Sequence, residues 1–315
     1  MMRLHTDKAA FGYIIDEVSS QHGIRRDVLE KDYYVTLLLK ELTHREKQGY
    51  AYFKGGTALY KALKSIRRFS EDIDLTVDIR DCVSGSQAKK RLVNATEKFE
   101  SLSRSATIEN RRGSITCQYR YDSLYALDED DALQRFGNVR VEATSFTVSE
   151  PIEEMVIAPH LYERSNDDRK AILSNYGVEP FGILTITRER IFTDKIFATE
   201  FYFEREEFFD VSKHVYDLAV LMRDERIVRF LKDGKRLKDM IVYKREEESR
   251  RKGGVSADLK IAQFSMFDAL GRSNEFKRAF DAMQNIYVFD AGDRLSCEYA
   301  IATLKRLRDS FVDIE

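Results

Sequence analysis

Apolar residues recur along this chain at two spacings, and the spacing changes as the chain proceeds. The first 46 residues read as two helices. Leu29, Tyr33, Leu37 and Leu38 pattern the buried side of the second, with Asp27 and Glu30 as its capping box. From Tyr50 onward, period two takes over. Tyr50-Ala51-Tyr52-Phe53 predicts a short buried strand and Ile73-Asp74-Leu75-Thr76-Val77 another. Between them, Leu59, Leu63 and Ile66 stand at i, i+4 and i+7, which predicts a helix from Thr57 to about Arg67. Ala88 to Leu102 predicts a further helix. Ile115 to Tyr121 and Asn138 to Val148 predict strands, joined by an acidic, solvated loop (Asp128-Glu129-Asp130-Asp131). Pro151, Pro159 and Pro180 fall within thirty residues, so this zone reads as an irregular passage, with Phe181 to Ile186 as a last strand. After Arg188 the period is helical. Phe192, Ile196, Thr199 and Phe203 face inward on one helix, and Val215, Leu218 and Met222 on a second, over Asp210 to Arg223. Gly253-Gly254 marks a break before two or three packed helices. Strands followed by helices predict an α+β fold. The expected domains are 1–186, a small mixed sheet flanked by helices, and a helical 187–315.

Chemistry enters at the join of the first two strands. Lys54-Gly55-Gly56-Thr57 combines a tight turn with a helix start. Free N–H groups there suit the phosphates of a nucleotide. Fifteen residues after Thr57, Asp72 and Asp74 stand at i and i+2. On a strand such residues share a face, about 7 Å apart, and two carboxylates so placed can share divalent metals. A glycine turn followed by such a pair marks a nucleotidyltransferase, which joins a nucleoside monophosphate from an NTP to an acceptor. Glu142 is the candidate third carboxylate. It alternates with buried Val141 and Ala143, and the competing reading is a surface Glu paired with Arg140 or Thr144. Arg68 and Ser70 lie between the turn and the aspartates and are candidate phosphate contacts.

These motifs, with Arg68-Phe69-Ser70-Glu71-Asp72-Ile73-Asp74-Leu75, resemble the AbiEii/AbiGii nucleotidyltransferase-like toxins, MenT-type toxins among them, of the DNA polymerase β-type superfamily. Glu30-Lys31-Asp32-Tyr33-Tyr34-Val35-Thr36 is similar to that family's N-terminal helix. The resemblance spans roughly residues 28–225 and implies roles for Lys195, in Thr193-Asp194-Lys195-Ile196, and for Asp217, in Tyr216-Asp217-Leu218. Lys195 would contact the nucleotide. Asp217 would either hold Lys195 or act as a general base. Lys213-His214 stands where the family often carries Arg-Asp. The resemblance further implies an NTP substrate with Mg²⁺ and an RNA acceptor, the 3′ end of tRNA. It also implies a role in growth arrest or abortive infection, and a separately encoded antitoxin, often with a winged-helix part.

Composition narrows the field. An apolar content of 43% in 315 residues supports a sizeable core, and a net charge of −2 provides no overall basic field for nucleic acid. Locally, residues 229–252 hold ten Lys/Arg against five acids. This is either an RNA-steering stretch or a solvated helix laced with ion pairs. Cys82, Cys117 and Cys297 have no metal spacing, and the five histidines form no motif. No apolar run is long enough to span a membrane. The chain start lacks a signal-peptide core, so a cytoplasmic location is expected. Two readings compete with the toxin: transfer to a protein or small-molecule hydroxyl, and a non-catalytic NTP-binding regulator.

Overall fold

The computed structural model describes residues 2–45, 49–64, 66–125, 136–145, 150–250, 253–256, 258–312 and 314. The chain divides into two compact units. One comprises residues 1–57, 71–148 and 152–185, and the other residues 58–70, 149–151 and 186–315.

In the first unit, the period-two segments build one mixed sheet. Its strands are β1 (Ala51–Lys54), β2 (Ile73–Val77), β3 (Ser103–Arg111), β4 (Ser114–Arg120), β5 (Asn138–Thr144), β6 (Ile152–Ile157) and β7 (Phe181–Ile186), in the order β3-β4-β5-β2-β1-β7-β6. β2 runs antiparallel to β1 and parallel to β5, and β4 is antiparallel to both β3 and β5. Register aligns the apolar residues. Phe53 pairs Leu75, Leu75 pairs Ala143, and Ala143 pairs Ile115. The face bearing Ile73, Leu75, Val77, Val139, Val141, Cys117 and Tyr119 is fully buried. The helices Arg26–Arg45 and Gly85–Thr96 pack on the sheet, and the Tyr119 hydroxyl donates to the Thr96 carbonyl at 2.6 Å.

Two strands escaped the sequence reading, and both are edges. β3 is exposed along nearly its whole length, so no inward apolar pattern marks it. β6 lies within the proline-rich zone expected to be irregular. That zone in fact holds β6, the helices His160–Glu163 and Asp167–Asn175, and β7. Prolines at strand and helix boundaries leave the elements between them intact.

Three local expectations need correction. The helix after the glycine turn stops at Ala62, not Arg67. Lys64 adopts φ 49°, a left-handed conformation that ends it, although Leu63 and Ile66 are still buried. The helix expected over Ala88 to Leu102 spans Gly85–Thr96, because Ser84 caps it by accepting from the Gln87 N–H. Glu30 forms no capping box: its carboxylate accepts from the Leu124 N–H at 2.8 Å and from the Ser123 hydroxyl. The neighbouring Lys31 donates to the Asn138 carbonyl, and Asp32 accepts from the His160 N–H at 2.6 Å. Glu30-Lys31-Asp32 is therefore a buried structural tie, at most 2% exposed, between the second helix and three distant segments. The acidic stretch Asp128-Glu129-Asp130-Asp131 lies outside the described residues.

The second unit is helical. Arg188–Phe203, Phe208–Leu221, Glu225–Lys232, Gly234–Arg250, Asn274–Tyr287 and Cys297–Asp309 are its longer helices. Phe192, Ile196, Val215 and Leu218 are buried as their spacing predicts. Charged residues also knit it together. Arg190, wholly buried, bonds Asp194 at 3.1 Å and Glu247, and Lys244 reaches Glu248 at 2.7 Å. The protein is thus an α+β chain, a mixed sheet flanked by helices, with a helical C-terminal region.

Candidate active site

In the first unit the site is built around the end of β1. Gly55 takes φ 76°, which L side chains rarely adopt. One helical turn follows (Gly55–Thr57); the wider π turn next in sequence (Ala58–Ala62), closed by the Leu63 N–H on the Ala58 carbonyl at 2.9 Å, belongs to the second unit. Single π turns concentrate at functional sites. Thr57 sits inside the helical turn rather than capping it.

The turn is shaped around a carboxylate. A Cβ on Gly55 would stand 2.1 Å from Asp74 Oδ2. Only a glycine admits Asp74 against the turn's backbone. Asp74 pairs in turn with Lys54 on β1 and Glu142 on β5, and Glu142 pairs with Thr116 on β4. These four residues form one row across the polar face of the sheet. Asp74 and Glu142 are half-buried, as is Asp72, one residue before β2. The Lys54 ammonium reaches across β2 to donate to the Thr144 hydroxyl at 3.0 Å. Sequence reasoning kept Lys54 as part of the motif but gave it no task. Its parity with Asp74 across an antiparallel pair is the signal that would have found it.

Among the described residues, no three His, Cys, Asp or Glu side chains form a ready-made metal cage. Mg²⁺, however, is commonly held by one or two carboxylates together with substrate phosphates. Asp74 lying against a glycine turn, with Glu142 alongside, suits an ion that arrives with a nucleotide.

In the second unit, Arg68, Lys195 and Asp217 meet. Arg68 grips the Asp217 carboxylate with Nε and Nη2, each at 2.7 Å, and Lys195 Nζ lies 2.6 Å from Asp217 Oδ2. Asp217 is 0% exposed. Burial alone would push its carboxyl pKa up, but Arg68 and Lys195 outweigh burial and hold it below the usual value. A carboxylate so stabilised is a weak proton acceptor. Its geometry is that of a clamp. The Arg68–Asp217 fork joins residues 149 positions apart and had no signal in the sequence. Ser70 is half-buried at the end of the same segment as Arg68.

His214, one turn before Asp217, stacks on Tyr202 with 5.4 Å between centroids, and its buried Nδ1 has no hydrogen-bond partner among the described residues. Burial, then the Lys195 charge, lowers its pKa well below the ordinary value, against a smaller opposing pull from Asp217. The imidazole is therefore neutral at pH 7.

Three cations of the basic stretch 229–252 are held by carboxylates, while Lys232, Lys235 and Lys238 are exposed. Arg236 pairs with buried Glu189 at 2.9 Å, Lys244 with Glu248, and Arg250 with Glu246 at 3.9 Å. Arg251 and Lys252 lie outside the described residues.

Residues 37–296 match the family described as nucleotidyl transferase AbiEii toxin, type IV TA system. The chain belongs to the AbiEii family. That match spans both the carboxylate row and the Arg68–Asp217–Lys195 clamp. AbiEii membership makes the protein a nucleotidyl transferase toxin of a type IV toxin–antitoxin system, with a nucleotide substrate and a separate antitoxin. No curated protein matches the chain. Among the described residues, no helix is long and apolar enough to cross a membrane.

Proposed function

We propose that the protein transfers a nucleoside monophosphate from an NTP to the 3′ end of tRNA with Mg²⁺, releasing pyrophosphate. The observation that carries this reading is the Asp74–Glu142 pair, in register on parallel strands with Asp74 seated against the Gly55 turn. Asp72, Asp74 and Glu142 are the proposed metal-holding residues. A divalent ion bound by them would neutralise charge on the phosphates at the α-position and on the leaving pyrophosphate. The N–H groups of Gly55, Gly56 and Thr57 bind phosphate oxygens, as helix starts do. Arg68, Ser70 and Lys195 are the other proposed nucleotide contacts. Asp217 serves as a positioning residue, supported by its complete burial and its bonds to Arg68 and Lys195.

Catalysis in this class is mainly positioning and charge stabilisation. The acceptor hydroxyl attacks the α-phosphorus in line, forming the new P–O bond as the bond to pyrophosphate breaks. The separate antitoxin is proposed to carry a winged-helix part.

The test is transfer of ³²P from each α-labelled NTP to total tRNA with Mg²⁺, comparing wild type with Asp72→Ala. Label on RNA from wild type alone is the expected result. Label on protein instead of RNA would move the acceptor to a protein hydroxyl. NTP binding without label on any acceptor would favour a silent binder.

A further inference from the structure

We propose that the exposed part of β4 and β5, on the sheet face that carries Glu142, is the binding track for the phosphodiester strand of the RNA acceptor. The inference rests on the transferase reading above and gives its acceptor a place.

Strand parity fixes which residues share that face. Asn138, Arg140 and Glu142 alternate on β5 with the wholly buried Val139, Val141 and Ala143. Arg120, Gln118 and Thr116 alternate on β4 with Tyr119, Cys117 and Ile115, all at most 1% exposed. The register places Thr116 beside Glu142, Gln118 beside Arg140, and Arg120 beside Asn138. Starting from Glu142, Arg140 is about 7 Å along the strand and Arg120 about 7 Å further. Both arginines are exposed.

Neither is paired. Among the described residues, Arg120 and Arg140 have no ion pair and no side-chain hydrogen bond, whereas Arg80, Arg91, Arg104 and Arg236 are all paired with carboxylates. Glu142 likewise makes no ion pair with Arg140, the alternative weighed from sequence. Two unspent guanidinium groups therefore lead away from a candidate catalytic carboxylate at regular spacing. Each presents five donors in a fork that matches phosphate oxygens. Gln118 and Asn138, between and beside them, add amide groups for sugar hydroxyls or base edges. A ligand whose reacting end lies at Glu142 and which engages both arginines carries negative charges about 7 Å and about 14 Å from that end. A single-stranded RNA end does so. A small-molecule hydroxyl does not reach Arg120.

The experiment measures anisotropy of a labelled single-stranded RNA oligonucleotide with the full chain across a KCl series, for wild type and for Arg120→Ala/Arg140→Ala. Arg272→Ala/Lys305→Ala removes two exposed charges elsewhere and serves as the control. Two lost phosphate contacts lower the slope of log K against log salt by about 1.4, which is about 25-fold weaker binding at about 0.1 M salt relative to about 1 M. NTP binding should be unchanged. No RNA binding by wild type, an unchanged slope in the double variant, or an equal loss in the control would each overturn the track. The ³²P assay separates this from the transferase reading. RNA labelling with an unchanged slope leaves the transferase standing and removes the track. No RNA labelling, with a slope lost only in Arg120→Ala/Arg140→Ala, does the reverse.

Discussion

The Asp74 carboxylate lies so close to Gly55 that an added Cβ would stand 2.1 Å from Oδ2. Gly55→Ala must therefore displace Asp74, strain a backbone at φ 76°, or both. A shift of about 1 Å in a catalytic group costs about a hundredfold in rate, and the strain costs about 1–3 kcal/mol. We expect nucleotidyl transfer by Gly55→Ala to fall about a hundredfold, with folding retained by circular dichroism. A wild-type rate would show that the seat of Asp74 against the turn has no bearing on activity.

Asp217→Asn should unfold the second unit more readily than most substitutions. It keeps the side chain's shape but leaves the buried Arg68 and Lys195 without their shared counter-charge. Breaking a buried ion pair in this way costs about 3–5 kcal/mol. The melting temperature should drop by roughly 10 °C. Because the folded carboxyl pKa is lowered, the stabilisation from Asp217 is complete above the ordinary value of 3.8 and disappears as pH falls through the lowered one. The gap between wild type and Asp217→Asn should accordingly close only in strong acid. A gap that closes near pH 6 would mean that another group controls it.

His214 should contribute in the opposite part of the pH range. Its folded pKa lies below the ordinary 6.5, so its contribution is present above that pH and fades below it, where the unfolded chain takes up a proton that the folded chain refuses. Wild type should lose up to about 1.4 kcal/mol per pH unit from this group below pH 6.5. His214→Phe retains the stacking on Tyr202 and cannot titrate. Urea unfolding between neutral and mildly acid pH should show a shallower decline for His214→Phe. Parallel declines would assign the pH dependence elsewhere.

Much of this protein was legible in its sequence because the relevant signals are local. Alternation along Asn138–Thr144 showed which residues face the core, since a strand has no other way to place successive side chains. The glycine turn and the Asp72–Asp74 spacing announced a nucleotidyl transferase, since that chemistry needs a backbone cradle and paired carboxylates within a few residues. The helices after Arg188 were legible from their inward stripes of Phe192, Ile196, Val215 and Leu218.

What the tertiary structure alone decided are the relationships across long sequence distance. Strand pairing set Glu142 beside Asp74, 68 positions away, and the same register aligned Arg140 and Arg120 on that face. Packing closed Asp217 onto Arg68 and Lys195. It likewise committed Arg236 and Lys244 of the basic stretch to buried carboxylates. Local periodicity reports which way a side chain points. Which partner it meets depends on strand order and on the neutralisation of buried charge, and both of those form only when distant segments come together.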